Sequence, residues 1–449
     1  MIAYEPWRVL HVRLDEIDRE LELGAHHAGV HVVFWWQDLP LGAIRIASQD
    51  LPVSTRRAAT LGLDAIAPTL AANVRKRLGR ATATGRHSAA GGCSDVASTV
   101  AKIERPLARI YGVLEESRAE ASTLGASVVV CTRDRPQSLG RCLDSLSTTL
   151  TREDEILVVD NAGRTAETRR RIERYPGIRY VKERQPGLDI ARNAGIRACA
   201  REIVAFCDDD VRVEPNWLGR MKAAFLDPTV AAVTGLVLPA SLETEAEYLF
   251  ETCWGFNRGF EPRDFGPEYF ARNRSRGAPV WEIGAGASMA FRRSVFARVG
   301  GFDERLGAGA AGCSGDSEMW YRILAAGHTC RYEPAAVAYH DHRRTIGELE
   351  SQIYSYMRGH ATALLVQLER HGDIGNLRRL LVTLPVYFAS RSMRRLVGID
   401  DRRTRTLSQE TAGWLAGIAY YLKRRRQAPP RVVENDAAES PPSFPSGDS

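Results

Sequence analysis

The chain has 449 residues, a formal net charge of +6 at pH 7, and hydrophobic and charged fractions of 44% and 26%. Those proportions exclude a fibrous or wholly disordered chain, and the length asks for roughly two to three structural units. The charge is too modest for a general polyanion binder, so no nucleic-acid partner is expected, and no apolar run approaches the ~18 residues of a spanning helix.

Met1 to Glu16 carries Glu5, Arg8, Arg13 and Asp15 with no signal-like apolar core. His31 to Trp36 reads as a strand, Asp38 to Gly42 as a turn and Ala43 to Ile46 as a second strand. Residues 1–79 are therefore expected to form a small β-containing module. Small polar residues from 80 to 97 predict a linker. A helix over about 98–120, with Pro106 as a kink or boundary, completes the connection 80–125. From Ala126 the rhythm becomes strand–helix–strand. Ser127–Cys131 is a buried strand, and Pro136 opens a helix with Leu139, Cys142, Leu143 and Leu146 on one face. Strands follow at Glu155–Asn161, Ile178–Val181 and Ile203–Asp208, with helices at Thr165–Arg174 and Leu188–Ala200 between them. Repeated β-α units of this length imply an α/β domain with a parallel sheet, assigned to 126–345. Residues 346–426 read as helical, and the Pro- and Ser-rich stretch 427–449 as a disordered tail.

The eight cysteines are scattered, without a C-x-x-C pair, and several sit inside apolar strands. They read as small core residues in a reducing, cytoplasmic compartment. The strand Ile203–Cys207 ends in three consecutive carboxylates, Asp208, Asp209 and Asp210. Adjacent anions repel, so the triplet points either to a cation held at the strand tip or to a solvated acidic turn. Oxygen ligands favour Mg²⁺ or Mn²⁺. Asp160 also ends a strand and Asp134 follows another. Carboxylates repeated at sheet tips, where open α/β sheets bind ligands, favour the cation.

Five ordered blocks then resemble the inverting GT-A glycosyltransferases of family 2: Val130–Pro136, Val158–Asn161, Gly187–Gly195, Phe206–Asp210 and Gly315–Arg322. The resemblance covers about residues 127–356. It implies a mostly parallel, nucleotide-diphospho-sugar-transferase-like sheet flanked by helices. It implies that Thr132, Asp134 and Arg135 wrap the nucleoside, that Asp160 meets base or ribose, and that a UDP-sugar is the favoured donor. Arg192 and Asn193 are expected to contact the nucleotide and brace the acidic loop, with Asp208 and Asp209 on the donor. Asp208 and Asp210, in the D-x-D pattern, and His340 are expected on a divalent metal that neutralises the diphosphate. Asp316 is the expected general base. Gly315 departs from the acid that relatives carry there, and Asp189 stands where a small polar residue is usual. Glu318 is open between structure and acceptor orientation, and His342 is the spare imidazole. Trp254 and Trp281 read more readily as core than as sugar-stacking rings.

The resemblance implies sugar transfer to a glycan, lipid-linked or small-molecule hydroxyl, as in making a cell-surface polysaccharide. Gly315 and the unassigned N-terminal module keep a non-catalytic nucleotide-sugar-binding or scaffold protein as the alternative. The arginines from Arg378 to Arg395 interleave with leucines, and Lys423 to Arg426 follow an apolar run. That pattern fits peripheral contact with an anionic membrane face or helices packed on the preceding domain.

Overall fold

A computed structural model describes residues 4–14, 26–78, 96–398 and 402–426. The expected linker and tail lie mostly or wholly outside these residues. β1 (Trp7–Arg13), β2 (Gly29–Trp36) and β3 (Leu39–Ala47) form a three-stranded sheet, with β1 parallel and β3 antiparallel to the central β2. A long helix that the strand signals did not foretell, α1 (Thr55–Arg77), covers this sheet. It is followed by α2 (Val96–Glu120), in which Pro106 lies inside rather than at an end.

The α/β unit starts with β4 (Ala126–Thr132), α3 (Pro136–Ser147), β5 (Glu155–Asn161), α4 (Glu167–Ile172), β6 (Arg179–Glu183), α5 (Leu188–Ala198) and β7 (Ile203–Asp208). Then come β8 (Val211–Val213), α6 (Trp217–Ala224), β9 (Val230–Pro239), α7 (Glu245–Cys253), β10 (Arg263–Phe265) and α8 (Pro267–Arg274). β11 (Ser288–Arg292), α9 (Val295–Val299), α10 (Gly315–Ala325) and β12 (Thr329–His340) close the unit. The nine-stranded sheet runs β10-β12-β9-β11-β7-β4-β5-β6, with β8 on β12. β7, β4, β5 and β6 are parallel, as the β-α rhythm requires. β11 enters antiparallel between β7 and β9, so the second half of the sheet is mixed.

Strand pleating splits the core across the two sheet faces. Val129 packs with Ala191, Ala194 and Phe206, whereas Val128 and Val130 pack with Leu139, Leu143 and Leu146 of α3. This explains why the apolar positions of α3 are spaced at helical period while β4 is apolar throughout: both faces of the strand are covered. The N-terminal module is fixed to the sheet's far edge. Val33 and Trp35 join the main core, Arg77 grips Glu333 with two bonds of 2.8 and 2.7 Å, and Lys76 meets Asp264 at 2.9 Å.

The C-terminal helices are α11 (Ile346–His371), α12 (Ile374–Arg378), α13 (Leu384–Leu396) and α14 (Leu407–Arg424). A single π-helical turn at residues 379–383 joins α12 to α13. α11 opens with a capping box, in which Thr345 and Glu348 satisfy each other's backbone N–H groups. Met357, Ala361 and Leu364 of α11 bury against Leu384, Phe388 and Leu407.

Candidate active site

The acidic triplet begins on the last residue of β7. Registry places Asp208 beside Cys131 of β4 and Cys207 beside Ser288 of β11. The chain then turns into β8, whose Val211 pairs with His340 at the end of β12. Three strand ends therefore converge on one cavity of about 1460 Å³. Its lining includes Thr132, Arg135, Arg192, Asp208, Asp209, Asp210, Asp316 and His340, all of which the sequence marks as site residues.

The three carboxylates have separate surroundings. Asp209 is 5% exposed, accepts from Thr132 Oγ1 at 2.6 Å and from Arg135 Nη1 at 3.1 Å. Each of its oxygens thus has a protein partner, and it braces the turn. Asp210 accepts a second Arg135 bond at 3.1 Å, with His340 Nε2 at 3.5 Å and Arg343 Nη1 at 3.8 Å. Burial alone would raise Asp210, but these neighbours pull it below the ordinary carboxylate value. Of the lowering neighbours His340 acts most, then Arg135 and Arg343; burial pushes His340 itself down to about 4. Asp208 is the most open of the three, its side chain 33% exposed, with Arg192 Nη2 3.8 Å away. Burial, then Asp210, Asp209 and Asp316, outweigh Arg192 and hold its pKa above the usual range.

Behind His340 lies a buried chain of polar groups. His340 Nδ1 is 2.8 Å from His342 Nδ1, and His342 Nε2 is 3.3 Å from Glu251 Oε2. Arg45 of β3 reaches Glu251 at 4.0 Å. Sequence spacing gave His342, but Glu251 lies 91 residues away and carried no local signal.

Asp316 sits in the first turn of α10. Its Oδ2 accepts from Gly286 N at 2.9 Å and its Oδ1 from Ser317 N at 2.7 Å. The N-cap position belongs to Ser314, in a left-handed conformation at φ 72°. Asp316 is thus held by backbone amides with lone pairs to spare, facing the cavity. Gly286 is required there: a Cβ on it would stand 2.7 Å from Asp316 Oδ2 and 3.1 Å from Arg192 Nη2. Glu318 turns inward. It is fully buried and bound to Arg322 Nε at 2.8 and 2.9 Å, so it is a structural acid.

The departure at Gly315 has a geometric partner. A Cβ at 315 would lie 2.0 Å from Asp189 Oδ2, and Gly307 also abuts that carboxylate. Asp189 is 1% exposed. Its Oδ1 accepts from Arg192 Nη1 at 3.1 Å, while its Oδ2 has no hydrogen-bond partner. Burial, only partly offset by Arg192, pushes it up to about 7. An acid on α5 thus occupies the space that a side chain on α10 would fill.

Three expected residues stand away from the cavity lining. Asn193 differs most from expectation. Its amide donates to Phe302 O at 3.0 Å and to Glu304 Oε1 at 3.0 Å, and its Oδ1 accepts from Phe302 N at 2.7 Å. With both amide N–H groups used and the side chain buried off the lining, it braces the 301–304 turn instead of facing the cavity. Asp134, at φ 55°, accepts from Arg164 N and Nε, both at 2.8 Å. Asp160 accepts from Tyr180 Oη at 2.8 Å, but its Oδ1 is buried without a partner against Gly163. Conversely, Trp254 and Trp281, which read as core, line the cavity. Arg379 stacks over the Trp281 ring at 3.9 Å. No local pattern distinguishes such rings from core rings, because the cavity side is set by α11 and α13, far along the chain.

The donor set suits an oxygen-seeking divalent ion: Asp208 is open to the cavity with its charge poorly compensated, Asp210 adjoins it, and neutral His340 offers a nitrogen. Among the described residues no cluster of three or more such groups is ready-made for a metal.

Residues 127–300 match the family model of glycosyl transferase family 2. Over that segment the chain resembles the family, as its first four sequence blocks imply; Asp316 and His340 lie beyond the match. The chain is 31% identical over 188 residues to a pre-mycofactocin glycosyltransferase of Mycobacterium tuberculosis, covering 41% of this chain and 35% of that protein. It is 29% identical over 189 residues to a glucosyl-dolichyl phosphate glucuronosyltransferase of Haloferax volcanii, covering 40% and 56%. This chain therefore spans about a third to a half of the length of those curated relatives. Among solved structures, a mannosyltransferase from Pyrobaculum calidifontis, in complex with GDP-Man and Mn²⁺, aligns with a TM-score of 0.47. That alignment has 18% identity and covers 70% of this chain and 95% of the other.

Proposed function

We propose that the chain is an inverting glycosyltransferase that moves a sugar from a nucleotide-diphospho-sugar to an acceptor hydroxyl. One observation carries the reading: strand-end acids Asp208 and Asp210 and the amide-held Asp316 line a single cavity. The family match over 127–300 supports the donor class. A UDP-sugar is favoured only on the family resemblance at Asp160, whose carboxylate is buried outside the cavity lining.

In this reading Arg135 and Arg192 hold the acidic loop, and Arg343 faces the diphosphate. Asp208, Asp210 and His340 would hold a divalent ion, which when bound supplies positive charge to the departing nucleoside diphosphate. Asp316 takes the proton of the acceptor hydroxyl as its oxygen forms a bond to the anomeric carbon. The bond from that carbon to the diphosphate oxygen breaks, and its electron pair leaves with the diphosphate. Backbone amides at Gly286 and Ser317 fix the aim of Asp316 without neutralising it as an arginine would. The scaffold alternative rests on Gly315 and on an N-terminal module without an assigned role. At the first of these, the space beside Gly315 is filled by the buried Asp189 carboxylate.

The decisive experiment incubates the full chain with a panel of nucleotide sugars and Mn²⁺ or Mg²⁺ and measures nucleoside diphosphate release. Metal-dependent release from one donor is expected. Binding of nucleotide sugars without turnover on any acceptor would support the scaffold instead. Turnover with a guanosine or thymidine sugar alone would overturn the uridine preference.

A further inference from the structure

The outer side of α12 and α13 differs from the rest of the described surface. Ten large apolar residues are exposed among the described residues, and seven of them fall between 374 and 397. Along this nearly continuous helical run, Val382, Val386, Met393 and Val397 recur at helical spacing, with Leu381 and Leu396 beside them. Leu396 is 81% exposed. A cluster this dense is not the scatter of single apolar residues found on any protein surface.

The charge around the stripe has one sign. Residues 374–397 contain five arginines and no aspartate or glutamate. Arg378, Arg394 and Arg395 are exposed. The preceding acid, Asp373, is 4% exposed and bonded to Tyr321 and Arg274; the following ones, Asp400 and Asp401, lie outside the described residues. The opposite side of the same run is already used. Leu384 and Phe388 pack on α11 and α14, Tyr387 bonds to Glu410, and Thr383, Leu384 and Tyr387 line the cavity.

We propose that this outer face docks on an anionic phospholipid bilayer, with α13 lying along the headgroup plane. Protruding apolar side chains flanked by arginines, on a helix of low overall hydropathy, are what an interfacial helix needs. A second copy fits poorly, since a two-fold contact sets a patch against itself and this one would bring arginines together with no acid in 374–397 to pair them. None of the helices among the described residues is long and apolar enough to cross a membrane, so the contact is a surface one. Because the inner side of α13 lines the cavity, docking would bring a bilayer-held acceptor beside Asp316. That consequence rests on the transferase reading, whereas the docking itself does not.

The test is sedimentation of the full chain with vesicles of phosphatidylcholine and phosphatidylglycerol, against phosphatidylcholine alone. Binding is expected to the anionic vesicles and at least tenfold less to the neutral ones. Val386→Glu with Leu396→Glu should lower binding at least tenfold with melting temperature unchanged, since both side chains are exposed. Arg394→Gln with Arg395→Gln should lower it about fivefold per arginine at low salt. Diphosphate release with a water-soluble acceptor should be the same in both variants. No binding by the parent chain, or binding unaffected by both variants, would overturn the proposal. So would a parent dimer that the glutamate pair dissociates without any vesicle binding. A chain inactive with every nucleotide sugar would remove the transferase reading and leave the vesicle result standing.

Discussion

The two walls of the cavity are built on different principles. The wall of strand ends is dense in ionised groups, each with a defined partner: Asp209 on Thr132 and Arg135, Asp210 on Arg135, Asp316 on two backbone amides. The wall contributed by α11, α13 and the 251–258 and 281–287 segments adds rings and neutral polar groups, among them Ser351, Gln352, Tyr356, Trp254, Trp281 and Tyr387, to charged residues such as Glu251, Arg258 and Glu282. Charge aimed by a rigid sheet suits chemistry on a diphosphate, because fixed dipoles and ions need not reorganise during the reaction. Rings and neutral polar groups suit the choice of a sugar or other acceptor. The difference implies that substitutions on the first wall act on kcat and those on the second on acceptor KM.

Asp316→Asn is the sharpest way to break this division. On the proposed reading it removes the proton acceptor yet can keep the Gly286 bond through its amide oxygen. A fall in kcat on the order of a thousandfold is expected, with donor KM and melting temperature near those of the parent chain. Near-normal transfer by this variant would take the base off the strand-end wall. Asp210→Asn should cost a similar factor, because one unit charge 4 Å from another is worth about 4 kcal/mol at an effective dielectric of about 20.

Asp189, buried behind that wall on α5, tests whether an acid close to the site must be catalytic. Its pKa is pushed up to about 7 by burial, against about 3.9 in an unfolded chain. Below about pH 4 both states are protonated and nothing is lost. As pH rises towards about 7 the unfolded chain ionises first, so folding stability from this group falls across that window. Asp189→Asn removes the titration and keeps an oxygen for Arg192. Its melting temperature should therefore gain on the parent between about pH 4 and 7 and level off above, with an upper bound of about 4 kcal/mol. A difference that stays flat across this range would show that Asp189 is ionised in the fold.

Gly315→Ala sharpens the same point from the other side. The added Cβ meets Asp189 Oδ2 at 2.0 Å, an overlap that should destabilise the chain by about 1–3 kcal/mol. Asp189→Ser in the same chain should recover most of that loss, as a double-mutant cycle followed by denaturant unfolding would register. Additive losses would mean the two positions do not share space.

Local signals made the first wall legible and left the second obscure. A buried apolar strand ending in acid announces itself within a few residues, so β4, β5 and β7 and the triplet could be read from spacing. The order β7-β11-β9 could not, because the antiparallel insertion of β11 depends on pairings between distant segments. The same distance hid the role of Asn193, whose bonds to Phe302 span 109 residues, and the link from His342 to Glu251. α1 was missed because strand-like runs dominate the module's first half and Pro68 interrupts its helical pattern. Glu318 was ambiguous because a helix start cannot show which way its acids turn until Arg322 and the buried 299–301 carbonyls are in place.

Trp281 puts the second wall to the test by itself. It lines the cavity, with the Arg379 guanidinium stacked 3.9 Å from its centroid and the His360 ring edge-on at 5.1 Å. Burial holds Arg379 down to about 10, so it remains charged at neutral pH and the stack is a cation–π contact. Trp281→Ala would remove the ring and release that arginine, for a loss of about 1–2 kcal/mol of contact energy. If the helical wall selects the acceptor, the loss appears as a roughly tenfold rise in acceptor KM, with donor KM and kcat little changed. A fall in kcat at unchanged acceptor KM would place Trp281 with the strand-end groups and erase the distinction between the walls.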